Sequence, residues 1–459
     1  MPENLNDVIT WLGGNTTMYL LPFLAVISIL VFVHEWGHYI VARLCGVRVE
    51  TFSIGFGKKL WSRRDKHGTE WQVALFPLGG YVKMFGDTDP ASSSFTESVK
   101  EGETIRQMTP AEREEAFFSK SVGQRAAIVF AGPAINFIFA IIVMIGLFMS
   151  VGQPVTPPVA AAVAAEGAAA AAGIQPLDRV VSINGEPTRR FSDIQRSVAV
   201  SLDTPLTLEV ERNGEIIKIE NVLPKIDNVT DRFGFSHSRG LLGIISAGSA
   251  FSIDAIEAVN GESGDIKALL KSHMGSQARL TMKGAEGFPS QDLIVRLQPD
   301  LNGDLIAGGA DVDSVMLAPA VETENTRYGL IGATQEALRE TWFVTVGTLE
   351  ALGQMIAGTR SAQELGGIIR IGAVTGDAAA AGFASLLMLG ALLSINLGLI
   401  NLFPIPMLDG GHLVFYAIEA IKGRPIPEKV QDAALRFGFY ILIGLMLFAN
   451  INDILQLAR

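Results

Sequence analysis

Leu20-Leu-Pro-Phe-Leu-Ala-Val-Ile-Ser-Ile-Leu-Val-Phe-Val-His34-Glu-Trp-Gly-His38-Tyr-Ile-Val-Ala42 is an apolar run whose only ionisable groups short of its last turn are His34, Glu35 and His38. At about 1.5 Å per residue it is long enough, as a helix, to cross a hydrocarbon core of ~30 Å. Ionisable groups are costly at that depth and are usually functional there. Two histidines four positions apart share one face of a helix and can hold one zinc ion, and the glutamate between them can take a proton from water beside the metal. Three such groups with nothing but hydrogen bonds to make would be an expensive way to pack a helix.

Further spans fit 126–151, 383–402 and, shorter, 437–448, within a last segment over 437–456. Residues 1–18 hold no Lys or Arg, so the first run lacks the positive flank of a cleavable signal and reads as a retained anchor, domain 1–42. Thirteen basic residues lie from Arg43 to Arg125, and Lys422, Arg424, Lys429 and Arg436 precede the last span. The positive-inside rule makes both loops cytoplasmic and puts 1–18 and 152–380 outside, in a bacterium the periplasm. The expectation is a polytopic α-helical membrane protein of four spans, and the mean hydropathy of +0.34 over 459 residues agrees. A net charge of −11 argues against nucleic acid as a partner. Cys45 is the sole cysteine, so packing, metal and membrane must stabilise the fold.

Between the second and third spans the pattern changes to alternating, turn-rich sequence such as Leu206-Thr-Leu-Glu-Val210. Arg179-Val-Val-Ser-Ile-Asn-Gly-Glu186 recurs weakly as Ile256-Glu-Ala-Val-Asn-Gly-Glu262, each followed by an Asp-Ile pair, 193–194 and 265–266. Strand, Asn-Gly turn and short helix resemble the PDZ domain, a module that binds extended peptides at a sheet edge. Two α+β copies would fill 155–228 and 240–310. The Ala160–Ala172 stretch, interrupted by Glu166 and Gly167, is not a span. Over 328–357, Leu338, Trp342, Val346, Leu349, Leu352 and Ile356 recur at helical spacing, with Glu336, Glu340 and Glu350 between them. That suits a helix on the membrane surface, packed on the spans, or in an ordinary core.

A catalytic zinc takes three protein ligands and keeps one position open. His67, His237 and His273 fall in extramembrane sequence, which leaves Asp409, His412 and Glu419 as candidates for the third. Asp409 ends Asn401-Leu-Phe-Pro-Ile-Pro-Met-Leu-Asp409, where Pro404 and Pro406 must break the segment 383–421. Broken backbone in a membrane is tolerated where it faces protein or a water-filled cavity.

HExxH in the first span, Asn-x-x-Pro-x-Pro-x-Leu-Asp-Gly in the third and PDZ-like sequence between them resemble the site-2 protease family of intramembrane zinc metalloproteases. The match covers nearly the whole chain. The resemblance implies that His34, His38 and Asp409 bind one Zn2+, that Glu35 is the general base and that Asn401 lines the substrate cleft. It implies regulated proteolysis of single-span membrane proteins in the bacterial inner membrane, the substrate being a trimmed anti-sigma factor or remnant signal peptides. Membrane lipid and peptide ligands of the PDZ domains would be the other partners.

Gly132-Pro133 and Asn136 match the family's second-span motif. Phe52-Ser-Ile-Gly-Phe-Gly57 and Phe76-Pro-Leu-Gly-Gly-Tyr-Val-Lys83, in the loop 43–125, look like its membrane-associated β-hairpins. The alternation Trp71, Val73, Leu75 ahead of Pro77 and Gly79-Gly80 suggests an exposed edge in a hairpin over 71–85, which would capture an unwound substrate. One departure is Leu365-Gly-Gly-Ile-Ile-Arg370, where Ile368 stands in place of the family's proline.

A non-catalytic scaffold with a structural metal would close its site with four ligands and has no use for Glu35. A transporter would show duplicated membrane halves, which these spans lack.

Overall fold

The computed structural model describes residues 16–86, 98–101, 104–284, 290–307, 312–318 and 326–457, so most of the expected outer N-terminus lies outside the described residues. Among them, four helices are long and apolar enough to cross a membrane: α1 (Thr16–Leu44), α2 (Val122–Ser150), α6 (Phe383–Asn401) and α8 (Glu428–Leu457). The sequence places the last span at 437–456, but the helix starts nine residues earlier. Glu428-Lys-Val-Gln-Asp-Ala-Ala-Leu-Arg436 is too polar to register as a span, yet Ala433, Ala434 and Leu435 are good helix formers.

The broken segment resolves into α6, an irregular stretch over 402–408, and α7 (Asp409–Lys422). The remaining long helices are α3 (Phe191–Val200), α4 (Leu330–Ala357) and α5 (Ile368–Ala380). α4, expected over 328–357, packs on the spans: Ala333 and Ala337 join Ala140, Met144, Ala391 and Ile395 in one core. Small residues allow that close approach.

β1 (Val49–Arg64) and β2 (Glu70–Met84) are long strands that bend, so each supplies two rungs of one sheet. Gly80–Met84 pair with Val49–Ile54, which pair in turn with Glu70–Val73, and these with Trp61–Arg64. Within the expected 71–85 hairpin the alternating part is not the edge: Val73 has Ile54 on one side and Trp61 on the other, so 71–73 is interior. The reason is aromatic packing. The Trp71 ring stacks on Phe52 at 4.4 Å and meets Tyr39 of α1 at 5.1 Å, while its indole N–H donates to Asp65 at 2.9 Å. The edge nearest α1 is Gly80–Met84, and among the described residues no other strand pairs with its outer side.

The extramembrane part carries two main sheets. One has the order β5-β4-β6-β7 with β4 (Arg179–Ile183), β5 (Glu186–Pro187), β6 (Leu206–Arg212) and β7 (Glu215–Val222). The other contains β3 (Ala160–Ala164), β10 (Ile244–Ser246), β11 (Ile256–Val259), β12 (Gln277–Met282) and β13 (Gln291–Arg296) in the order β10-β3-β13-β12-β11. β3 comes from the first expected copy but lies in the sheet of the second, so the two segments share a strand. Its small residues serve both cores, Ala160 and Val163 in one, Ala161 and Ala162 in the other. The repeated Asn-Gly pairs turn alike: Asn184 and Gly185 have φ of 52° and 82°, Asn260 and Gly261 of 52° and 84°.

Ion pairs tie α3 to α4: Arg190 to Glu336 at 3.0 Å, Arg196 to Glu340 at 2.5 Å and Arg339 to Asp193 at 2.9 Å. The hairpin of β8 (Lys225–Thr230) and β9 (Ser236–Leu241) reaches the helix ends, where the Ser236 N–H donates to Gln456 and Phe233 meets Tyr19.

Candidate metal centre

α1 and α2 run antiparallel, and their four-residue spacings match. His34 lies by Asn136, and His38 lies by Gly132 and the Ile128 carbonyl. A Cβ at position 132 would overlap the His38 ring, so glycine makes the room for it. Asp409 reaches the same spot from the start of α7, where a carboxylate suits the positive end of a helix. The break before it is sharp. Met407 has φ of 85°, a conformation that side-chain-bearing residues rarely adopt.

The His34 and His38 Nε2 atoms are 3.3 Å apart, and Asp409 Oδ2 lies 3.2 Å from the first and 3.6 Å from the second. Tetrahedral ligands at ~2.1 Å from zinc are separated by about 3.4 Å, so the spacing suits a zinc ion. Asp409 Oδ2 is buried and has no well-aligned hydrogen-bond donor, as expected of an atom shaped for a cation. Among the described residues this is the one group of three or more His, Cys, Asp or Glu with metal-ligand spacing. Of the three candidates for third ligand, Asp409 alone joins it. His412 lines the adjoining cavity, and Glu419 bonds instead to Arg125 at 2.7 Å.

A cavity of about 310 Å³ opens on this group. Glu35, Asn401, Gly80, Tyr81 and Val82 line it beside His34, His38 and Asp409. Gly80 packs against the Glu35 side chain, where a Cβ would come within 3.1 Å of its Cγ. The arrangement puts an acceptor for a proton, a cation site and an open strand edge around one space.

Sequence reasoning left two features unplaced. Asn136 was legible as a motif residue, but its contact with His34 depends on how two helices align; its four-residue spacing from Gly132, equal to that of the histidines, was the available signal. The Arg125–Glu419 pair joins residues 294 apart, and nothing local announces it.

A profile of peptidase family M50 matches residues 22–445. The chain is 37% identical over 444 residues to a protein of Agrobacterium fabrum named as a zinc metalloprotease, covering 97% of both chains. It is 35% identical over 474 residues to the regulator of sigma-E protease RseP of Escherichia coli, and 32% over 459 residues to the regulator of sigma E protease of Haemophilus influenzae, covering 95% of this chain and 98% of each relative. The ligand spacing, the buried carboxylate and these matches agree, and the chain belongs to peptidase family M50, the site-2 proteases, as a zinc-dependent metallopeptidase with several membrane helices.

Proposed function

We propose that this protein cuts single-span membrane proteins inside the bacterial inner membrane, with His34, His38 and Asp409 holding one zinc ion, Glu35 as the base and Asn401 beside the substrate. The observation that carries the reading is the ligand-spaced triad with a carboxylate next to it, on apolar helices and open to a cavity. Zinc, when bound, polarises the scissile carbonyl and the attacking water. Glu35 takes the water's proton and returns it to the leaving amine.

A helical substrate must give up its own backbone hydrogen bonds before it can be cut, and unpaired peptide groups in lipid cost several kcal/mol each. The open edge Gly80–Met84 supplies replacement partners along the cavity wall. Its neighbours suit membrane contact: Phe56, Leu60, Trp61, Leu75 and Phe76 are all exposed.

The basic loops support a cytoplasmic place for 43–125 and a periplasmic one for 152–380. There the two sheets would act as PDZ-like modules that admit trimmed substrates and hold back bulky ones. The names of two relatives tie them to sigma-E regulation, which suits the anti-sigma factor that the family resemblance implies as substrate, with remnant signal peptides as a further class.

The test is cleavage of a single-span reporter by purified protein in vesicles. Wild type should cut within the span, and Glu35→Gln should retain zinc but release no fragments. Cleavage that survives Glu35→Gln, or that falls outside the span, would overturn the proposal.

A further inference from the structure

The two histidines of the centre are held by different kinds of partner. His38 Nδ1 lies 2.9 Å from the Ile128 carbonyl, which can only accept. That ring therefore carries its proton on Nδ1 and presents the Nε2 lone pair to the centre. His34 Nδ1 lies 3.1 Å from the side-chain amide nitrogen of Asn136. An amide has a donor end and an acceptor end, and a half-turn exchanges them.

With the nitrogen on Nδ1, the His34 proton sits on Nε2 and points toward Asp409 Oδ2 at 3.2 Å and His38 Nε2 at 3.3 Å. In that tautomer His34 Nε2 carries a hydrogen and offers the centre no lone pair. In the same arrangement Asn136 Oδ1 is buried without a donor, in a residue with 0% exposure. With the oxygen on Nδ1 the proton moves to that atom, and both Nε2 lone pairs face the centre. The main chain of Asn136 is pinned, its carbonyl accepting from the Ser394 hydroxyl at 2.9 Å, so the amide can turn without moving the helix.

We propose that Asn136 is a positioning residue for the metal: its side-chain amide, 3.1 Å from the His34 ring, presents the oxygen that selects the His34 tautomer that binds zinc. The inference rests on His34, His38 and Asp409 being the ligands. It concerns zinc affinity, so it is testable without proteolysis.

Zinc affinity is measured by chelator competition on the purified full-length chain, its Asn136→Leu variant and its Asn136→Asp variant. Loss of the outer partner of a metal-bound histidine weakens binding roughly 10- to 100-fold, which is the result expected for Asn136→Leu. Asn136→Asp, which keeps an acceptor and has no donor when ionised, should bind close to wild type. Leucine binding as tightly as asparagine would overturn the role; aspartate as weak as leucine would assign it to the amide N–H instead and overturn it equally. A wild-type chain that binds no zinc overturns the ligand set and this inference together; wild-type binding indifferent to residue 136 overturns this inference alone.

Discussion

A Cβ at Gly80 would come within 3.1 Å of the Glu35 Cγ, so the open edge of the hairpin sheet and the proposed base are in direct contact. A peptide pairing with that edge would be delivered to the residue that acts on it. With Cys45 replaced by serine and Glu35→Gln as a trap, a substrate cysteine near the scissile bond should form a disulfide with Tyr81→Cys. It should not form one with Ser62→Cys, which lies on the opposite edge. Equal yields at the two positions would remove strand addition from the mechanism.

Asp409→Ala should lose both metal and activity, because it deletes one of three ligand-spaced atoms. His412→Ala should keep the metal, since its ring lines the cavity outside that group. Metal analysis of the two purified variants decides, and the opposite pattern would pass the third-ligand role to His412.

Arg125 and Glu419 form a largely buried pair at 2.7 Å, with side chains 10% and 14% exposed. The guanidinium also donates to the Lys120 carbonyl at 3.2 Å and lies over the Tyr416 ring. Glu419→Leu strands a buried cation and should cost about 3–5 kcal/mol, whereas adding Arg125→Met should restore much of that loss. Thermal unfolding in detergent gives the comparison. A double variant less stable than the single would show that the pair is held for something other than charge balance.

Ile368, at the start of α5, gives its N–H to the Asn450 side chain at 3.2 Å, a bond that a proline there could not make. Proline suits the first position of a helix, so Ile368→Pro exchanges one stabilising feature for another. Asn450 also donates to the Met446 carbonyl in either background, so Asn450→Ala should cost about 1 kcal/mol more in the natural sequence than in the Ile368→Pro background. A double-mutant cycle on unfolding free energy checks it, and identical costs in both backgrounds would show that the bond is not formed.

The first three spans, the broken third segment and the two histidines were legible because hydropathy, proline chemistry and helical spacing are local properties. The polar first nine residues of α8 were not, since their helix is visible only from its continuation into apolar sequence. Which part of the 71–85 hairpin forms the edge was not legible, for a related reason. Alternation at Trp71, Val73 and Leu75 marks a strand but not its neighbours, and here the bend after Ala74 folds the chain back so that a later piece becomes the edge. The shared strand Ala160–Ala164 shows the same limit of local reading, because five small residues announce burial but not which sheet buries them.

The three ligand-spaced residues are far apart in the chain: His34 and His38 lie in the first span, and Asp409 comes about 370 residues later. A ribosome adding ~5–20 residues per second needs roughly 20–75 s to cover that interval. Throughout it the nascent chain has both proposed histidine ligands and the proposed base but not the proposed third ligand. On the proposed ligand set, a chain truncated before the break holds two of the three ligand-spaced groups and cannot complete the site.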